Sequence, residues 1–284
     1  MKKRAYAKVN LGLKIISKRT DGYHNLESIM TRIGLYDELE FIKNDKIEVV
    51  CDDIKMENNL VYKVAFYLKT KYKVDEGVKI IIKKRIPLEA GLGGGSSDAA
   101  CTINALNKIW KLGMNLEERK KVASVFGSDI SFFVEGKTAF VSGRGEKIRK
   151  IENKNKIDML VVKPEFGFST KRIFSLVNEY SEKGKLSELE KAIKEKNILE
   201  IGRKLENDFE KFLKEENEYQ EIKEVKRLME ENGAIGTIMS GSGSSVFGIF
   251  LDKKSRDSAY NVLLKMGKKV FRMKSIGWLS ERKV

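Results

Sequence analysis

Four glycines in five residues, Gly91, Gly93, Gly94 and Gly95, precede the serine pair Ser96 and Ser97. The whole segment reads Pro87-Leu88-Glu89-Ala90-Gly91-Leu92-Gly93-Gly94-Gly95-Ser96-Ser97-Asp98-Ala99-Ala100. Glycine leaves no Cβ between the backbone and a ligand. Beyond it Ala99, Ile103, Leu106 and Trp110 step by four, three and four, the spacing of one helix face. Free N–H groups at a helix start, together with its dipole, favour an anion, and Ser96 and Ser97 can cap the helix or bond a phosphate oxygen. The chemistry that suits this segment is the binding of a triphosphate. No Gly-Lys-Ser/Thr closes it as in a Walker A loop, and the Gly136-Lys137-Thr138 run has Ser131 where the first glycine belongs. Neither does it fit GxGxxG: Ser96 or Asp98 takes the last position, depending on the starting glycine. A mere flexible turn has no need of a serine pair heading a helix.

A second cluster, Met239-Ser240-Gly241-Ser242-Gly243-Ser244-Ser245-Val246, lies between two apolar runs. On residue type it is either a tight hairpin or a second phosphate-facing wall. Asp129 follows Gly127-Ser128, and taken alone it is a loop aspartate capping residues 130–134. Lys8, alone, is a solvated strand lysine. His24 is the single histidine, which excludes a His-built zinc site, and any Ser-His-Asp triad has to use it. Cys51 and Cys101 form no CxxC pair, and no carboxylate cluster declares a metal site.

The 284 residues suit one large or two medium domains, and 41% apolar content can fill a core. No stretch approaches the ~18 apolar residues of a membrane helix, and no secretory apolar region follows the basic start. A cytoplasmic protein with reduced thiols is expected. Lys and Arg number 56 against 41 Asp and Glu, a formal charge of +15. That excess is spread along the chain, as in a lysine-rich solvated surface or a field that draws in a polyanionic small substrate. Nucleic acid is the competing partner, but single-strand binders interleave aromatics with a basic groove, and here Tyr and Phe are dispersed.

The elements that must position these groups follow from local pattern. Residues 5–16, 39–42, 47–50 and 78–82 have the β-branched content of strands. Asn59 heads a helix carrying Leu60, Val64, Phe66 and Leu68, and Asn115-Leu116-Glu117-Glu118 opens another that ends near Gly127. Residues 137–149 read as a hairpin around Gly143-Arg144-Gly145, and 185–232 as charged helix ending before Gly233. Strands return at 237–239 and 246–251, then a helix around 259–266 and a strand at 270–275. Strands and helices mix without strict βαβ alternation, so the fold class is α+β.

In order and spacing these segments resemble the GHMP small-molecule kinases over nearly the whole chain. The similar stretches are Ala7-Lys8-Val9-Asn10-Leu11, Pro87 to Ser97, and Ser240 to Ser245. Lys8, the run Asp21-Gly22-Tyr23-His24-Asn25-Leu26 and the run Gly127-Ser128-Asp129-Ile130-Ser131-Phe132-Phe133 resemble the branch acting on diphosphocytidyl methylerythritol in non-mevalonate isoprenoid synthesis. Tyr6 and Ser131 stand where that pattern has proline, so two rigid φ angles are lost while no reactive group is.

The resemblance implies a two-domain α+β fold, residues 1–153 binding ATP and 154–284 forming the C-terminal domain, with the active site in the inter-domain cleft. It implies ATP as co-substrate, Mg²⁺ with it, and phosphorylation of the tertiary 2-hydroxyl of the erythritol unit. Asp129 would be the base and Lys8 the cation beside it. Pro87, Leu88, Glu89, Ala90, Gly91, Leu92, Gly93, Gly94, Gly95, Ser96 and Ser97 would bind ATP. Asn10, Tyr23, His24, Thr170, Phe174, Ser240, Gly241, Ser242 and Gly243 would contact the substrate. His24 would read the cytosine edge, with Tyr23 and Phe174 as stacking partners.

Overall fold

The first strand is buried without a break over residues 7–15, and the second alternates buried and half-buried residues over 31–41. In the computed structural model β1 spans Lys2–Lys18 and β2 spans His24–Asn44. Residues 1–52, 54–153 and 156–276 are described; the expected domain boundary after Asn153 falls at residues outside this set. The further elements are β3 (Ile47–Val50), α1 (Leu60–Lys71), β4 (Gly77–Lys83), α2 (Gly94–Ile109), α3 (Leu116–Phe126) and α4 (Ser128–Glu135). Then come β5 (Thr138–Gly143), β6 (Lys147–Lys150), β7 (Asp158–Lys163), α5 (Thr170–Ser175), α6 (Ser187–Lys194), α7 (Ile198–Arg203) and β8 (Glu206–Asn207). The series ends with α8 (Phe209–Phe212), α9 (Glu218–Glu231), β9 (Gly236–Met239), β10 (Val246–Phe250), α10 (Lys253–Lys265) and β11 (Lys269–Lys274).

The chain divides into two units. The first comprises residues 1–7, 35–86 and 93–136. Within it β4 pairs antiparallel with residues 38–44 of β2, and β3 lies parallel to β4. Helix α2 packs on α1 and α4, and α3 on α4. The apolar faces explain this: Val64 and Leu68 of α1, Ala99, Ile103 and Leu106 of α2, and Ile130 of α4 are all fully buried. Asn59 caps α1 by accepting from the Val61 N–H, and Asn115 with Glu118 forms a reciprocal capping box on α3.

The second unit comprises residues 8–34, 87–92 and 137–284. Residues 26–31 of β2 pair antiparallel with β5, β5 with β6, and β8 lies parallel to β1. A separate antiparallel sheet runs β11-β7-β10-β9. An unbroken apolar run explains the inner strand β7: Met159, Leu160, Val161 and Val162 are buried on both faces. Helices α9 and α10 bury Ile222, Val225, Met229, Ala259 and Leu263 against that sheet.

Most elements lie where local pattern puts them, with four differences. β2 is far longer than residues 39–42, because pairing with β5 and β4 holds both ends. β7 has the composition of a strand, with Asn153 before it and Pro164 directly after it, but its apolar run shows no period-two alternation. β8 interrupts the charged helical stretch, its Glu206 and Asn207 opposite Gly12 and Leu13. Helix α2 begins at Gly94, with Gly93 as its N-cap and no side-chain cap, so both serines lie inside the first turn.

Candidate functional site

Alternation along β1 puts Lys8 and Asn10 on one face. Both are buried, and Lys8 Nζ donates to Asn10 Oδ1 at 2.6 Å. Asn10 Nδ2 donates to Ser28 Oγ at 2.8 Å, and Ser28 Oγ donates to the Gly12 carbonyl at 2.6 Å. The ammonium is thus held by a chain of side-chain hydrogen bonds that ends on the backbone. The Lys8 N–H donates to the Leu92 carbonyl at 3.0 Å, which ties β1 to the glycine-rich segment.

The second Gly/Ser cluster reaches the same place. Ser240 Oγ donates to the Gly91 carbonyl at 3.0 Å, and the Ser245 N–H to the Ala90 carbonyl at 3.2 Å. Gly241 has φ +56°, and a Cβ there would stand 3.2 Å from both Lys8 Nζ and Asn10 Oδ1. A side chain at this position would press on the lysine. Gly91, at φ +69°, approaches so closely that a Cβ would lie 2.0 Å from the Ser240 carbonyl oxygen. Asn207 of β8 fixes the turn from behind: its Nδ2 donates to the carbonyls of Met239 and Gly241, each at 2.8 Å. Ser28 and Asn207 went unseen in the sequence, where nothing marks a serine or asparagine whose partners are so distant.

His24 is buried and its ring stacks on Phe174, centroids 5.2 Å apart and planes at 22°. Tyr180 stands beside it at 6.3 Å. Burial, and secondarily the charge of Lys18, lowers the His24 pKa below its ordinary value, favouring the neutral imidazole. Tyr23 is instead exposed, with the Arg144 guanidinium 4.4 Å from its ring centroid. Its N–H donates to Asp21 Oδ1 in the turn between β1 and β2. Thr170 Oγ1 and Ser242 Oγ share a hydrogen bond of 3.0 Å. Gly243 donates its N–H to the Ser240 carbonyl at 2.9 Å, closing the turn.

In the other unit, α2 opens with Gly94, Gly95 and Ser96 in its first turn. Gly95 is exposed, and a Cβ there would meet nothing within 4 Å. Ser97 is buried and its hydroxyl donates to the Tyr6 carbonyl at 2.7 Å. Asp129 is half-buried in the first turn of α4. Pro87, Leu88, Glu89 and Ala90 belong to the unit of Lys8, where Leu88 is exposed and Ala90 buried. Among the described residues no group of three or more His, Cys, Asp and Glu side chains is placed to hold a metal ion.

Two family models match the chain. Residues 59–137 match the GHMP kinases N terminal domain and residues 189–271 the GHMP kinases C terminal domain. The chain belongs to the GHMP kinases, a class for which ATP is the co-substrate. Among curated relatives, 4-diphosphocytidyl-2-C-methyl-D-erythritol kinase of Thermoanaerobacter pseudethanolicus is 41% identical, over 97% of this chain and 96% of its own length. The enzyme of the same name from Clostridium botulinum is 39% identical, over 97% of this chain and all of its own length. A crystal structure of 4-(cytidine 5'-diphospho)-2C-methyl-D-erythritol kinase superposes with a TM-score of 0.85 at 28% identity, covering 98% of this chain and 100% of that one. Mevalonate kinase of L. major is similar in fold alone, with a TM-score of 0.74 at 18% identity, covering 98% of this chain and 96% of that one.

Proposed function

We propose that this chain transfers the γ-phosphoryl group of ATP to the 2-hydroxyl of 4-diphosphocytidyl-2-C-methyl-D-erythritol, in the non-mevalonate route to isoprenoid precursors. The observation that carries the choice of substrate is the stacked pair His24 and Phe174 in the same unit as Lys8. An aromatic platform suits a flat base, and a neutral imidazole offers one donor and one acceptor to its edge. Relatives named as the kinase of that alcohol match 97% of the chain.

A tertiary alcohol is hindered and a poor nucleophile, so alignment and charge stabilisation must supply most of the rate. Asp129 accepts the proton as the alcohol oxygen bonds to γ-phosphorus, and the bond from that phosphorus to the β-bridging oxygen breaks to release ADP. Lys8, steered by Asn10, stabilises the negative charge on the transferring group. The backbone N–H groups opening α2, with Pro87 to Ser97, hold the triphosphate, and Ser240, Gly241, Ser242 and Gly243 contact the substrate. Mg²⁺, if it accompanies ATP, would supply charge neutralisation to the phosphates. Residues 1–153 and 154–284 are taken as the ATP-binding and C-terminal domains, and the cytoplasm as the location; no helix among the described residues is long and apolar enough to cross a membrane.

Turnover of ATP with the cytidylated alcohol, mevalonate and homoserine, side by side, tests this reading. Activity is expected with the first alone. A higher kcat/KM on mevalonate or homoserine would move the chain to another branch of the family.

A further inference from the structure

A buried lysine and two buried aspartates bracket the glycine-rich segment. Lys84 Nζ donates to Asp37 Oδ2 at 2.5 Å and to Asp98 Oδ2 at 2.8 Å. All three side chains are at least 95% buried. Asp37 stands on β2, Lys84 directly follows β4, and Asp98 lies in the opening turns of α2. The other oxygen of Asp37 accepts the N–H groups of Arg85 and Ile86, at 2.5 and 2.8 Å. The backbone entering the segment before Pro87 and the helix leaving it after Gly93 are therefore fastened to one ammonium. Gly94 fits between them: a Cβ there would stand 3.0 Å from Ile86 Cγ2 and 3.4 Å from Lys84 Nζ.

Burying three ionisable groups is a poor way to gain stability, since each leaves water at a cost of several kcal/mol. A cation beside the start of a helix also opposes the dipole. An ion trio kept under those conditions needs a reason other than stability. We propose that Lys84, bridging Asp37 and Asp98, is a positioning device that sets the spacing between the two ends of the phosphate segment and so the aim of the α2 N–H groups. The proposal rests on the reading of Gly91 to Ser97 as the triphosphate cradle.

Charge balance supports a particular form of the trio. Burial pushes the Asp98 carboxyl up to about 7, against the pull of Lys84 and with the help of Asp37. Burial works against the Lys84 ammonium, but Asp98 and Asp37 outweigh it and keep its pKa raised. A carboxyl with its pKa at about 7 is about half protonated at neutral pH, and in the protonated form it brings no charge to the trio. Asp98 then serves through an oxygen that accepts from Lys84, a role an amide can fill.

The test is equilibrium titration of a non-hydrolysable ATP analogue, well below the melting temperature, with Lys84→Met, Asp98→Ala, Asp98→Asn and a Gly95→Val control. Lys84→Met and Asp98→Ala should weaken the analogue by at least ~10-fold, as misplaced positioning groups do. Asp98→Asn should restore binding close to the parent value, and KM for the cytidylated alcohol should hardly move in any of them. If Lys84→Met does not fold, the contrast between Asp98→Ala and Asp98→Asn decides. Parent-like binding in Lys84→Met or Asp98→Ala, or Asp98→Asn as weak as Asp98→Ala, would overturn the proposal. Because the analogue needs no acceptor alcohol, a wrong substrate assignment leaves this result intact. If Gly95→Val binds like the parent, the cradle reading itself fails and the proposal with it.

Discussion

His24 and Phe174, one ending the first turn of the chain and the other on α5, stack with ring centroids 5.2 Å apart and planes at 22°. The pairing leaves a small aromatic surface in which one member also carries a hydrogen-bonding edge. That combination is what a pyrimidine requires: a face to lie on and a donor with an acceptor beside it.

The first consequence is a pH dependence confined to one substrate. His24 has a lowered pKa, chiefly from burial and then from Lys18, so acidification charges it later than it charges the unfolded chain. The unfolded state then binds more protons, and the stability His24 contributes falls as the pH drops below 6.5, its unperturbed value. Protonation also removes the ring's acceptor. KM for the cytidylated alcohol should rise toward low pH while KM for ATP stays nearly flat over the same range. In His24→Ala, KM for that alcohol should be high at every pH, since unpaired groups on a buried base edge cost about 1–3 kcal/mol. Parallel changes in both KM values would put His24 in a structural role.

The glycines of the phosphate segment separate by what surrounds them. Gly95 is exposed on α2 with open space where a Cβ would go, so Gly95→Ala should stabilise the helix by up to ~1 kcal/mol. The same methyl would stand among the N–H groups proposed to face phosphate, so ATP should bind more weakly to a protein that melts higher. Gly94→Val, by contrast, meets Ile86 and should lose stability along with ATP binding. Unchanged ATP affinity in a folded Gly95→Ala would remove the cradle.

Ser28 tests the support of Lys8. It is fully buried, accepts from Asn10 and donates to the Gly12 carbonyl. Ser28→Ala leaves the buried Asn10 amide without this acceptor, a loss of about 1–3 kcal/mol that urea unfolding would register. Asn10 then loses its anchor, and kcat should fall several-fold with KM for ATP little changed. A parent-like kcat in the destabilised variant would mean that Lys8 is aimed by something else.

How far these relations could be read in advance depended on whether the signal was local. The Asn59 and Asn115 caps, the α2 face from Ala99 to Trp110 and the hairpin at Gly143 are set by residues within one turn of each other. The glycine and serine clusters announced themselves by composition, and the likeness to a kinase family joined them. Asn207, Ser28 and the Asp37–Lys84–Asp98 trio gave no such signal, because each acts through partners brought near only by strand pairing or helix packing. The two-residue strand β8 is the plainest case. In a stretch rich in Lys and Glu it looks helical, and only its pairing with Gly12 and Leu13 makes it a strand. Tyr23 differs in another way: its residue type suits stacking, yet here its ring lies beneath Arg144.

Asp129 and Lys8 carry the chemistry proposed for this chain. Asp129→Asn preserves size and much of the hydrogen bonding but cannot take the hydroxyl proton as a carboxylate does. Lys8→Ala should also lower kcat, and the double variant should lose less than the product of the two effects, because the groups work as a unit. The most direct measurement is the single-turnover rate of Asp129→Asn with ATP and the cytidylated alcohol both bound, which separates chemistry from product release. The expected result is a fall of at least ~10²-fold with both ligands still binding, the low end for a positioned general base. A single-turnover rate near that of the parent would contradict the assignment of Asp129 as the base.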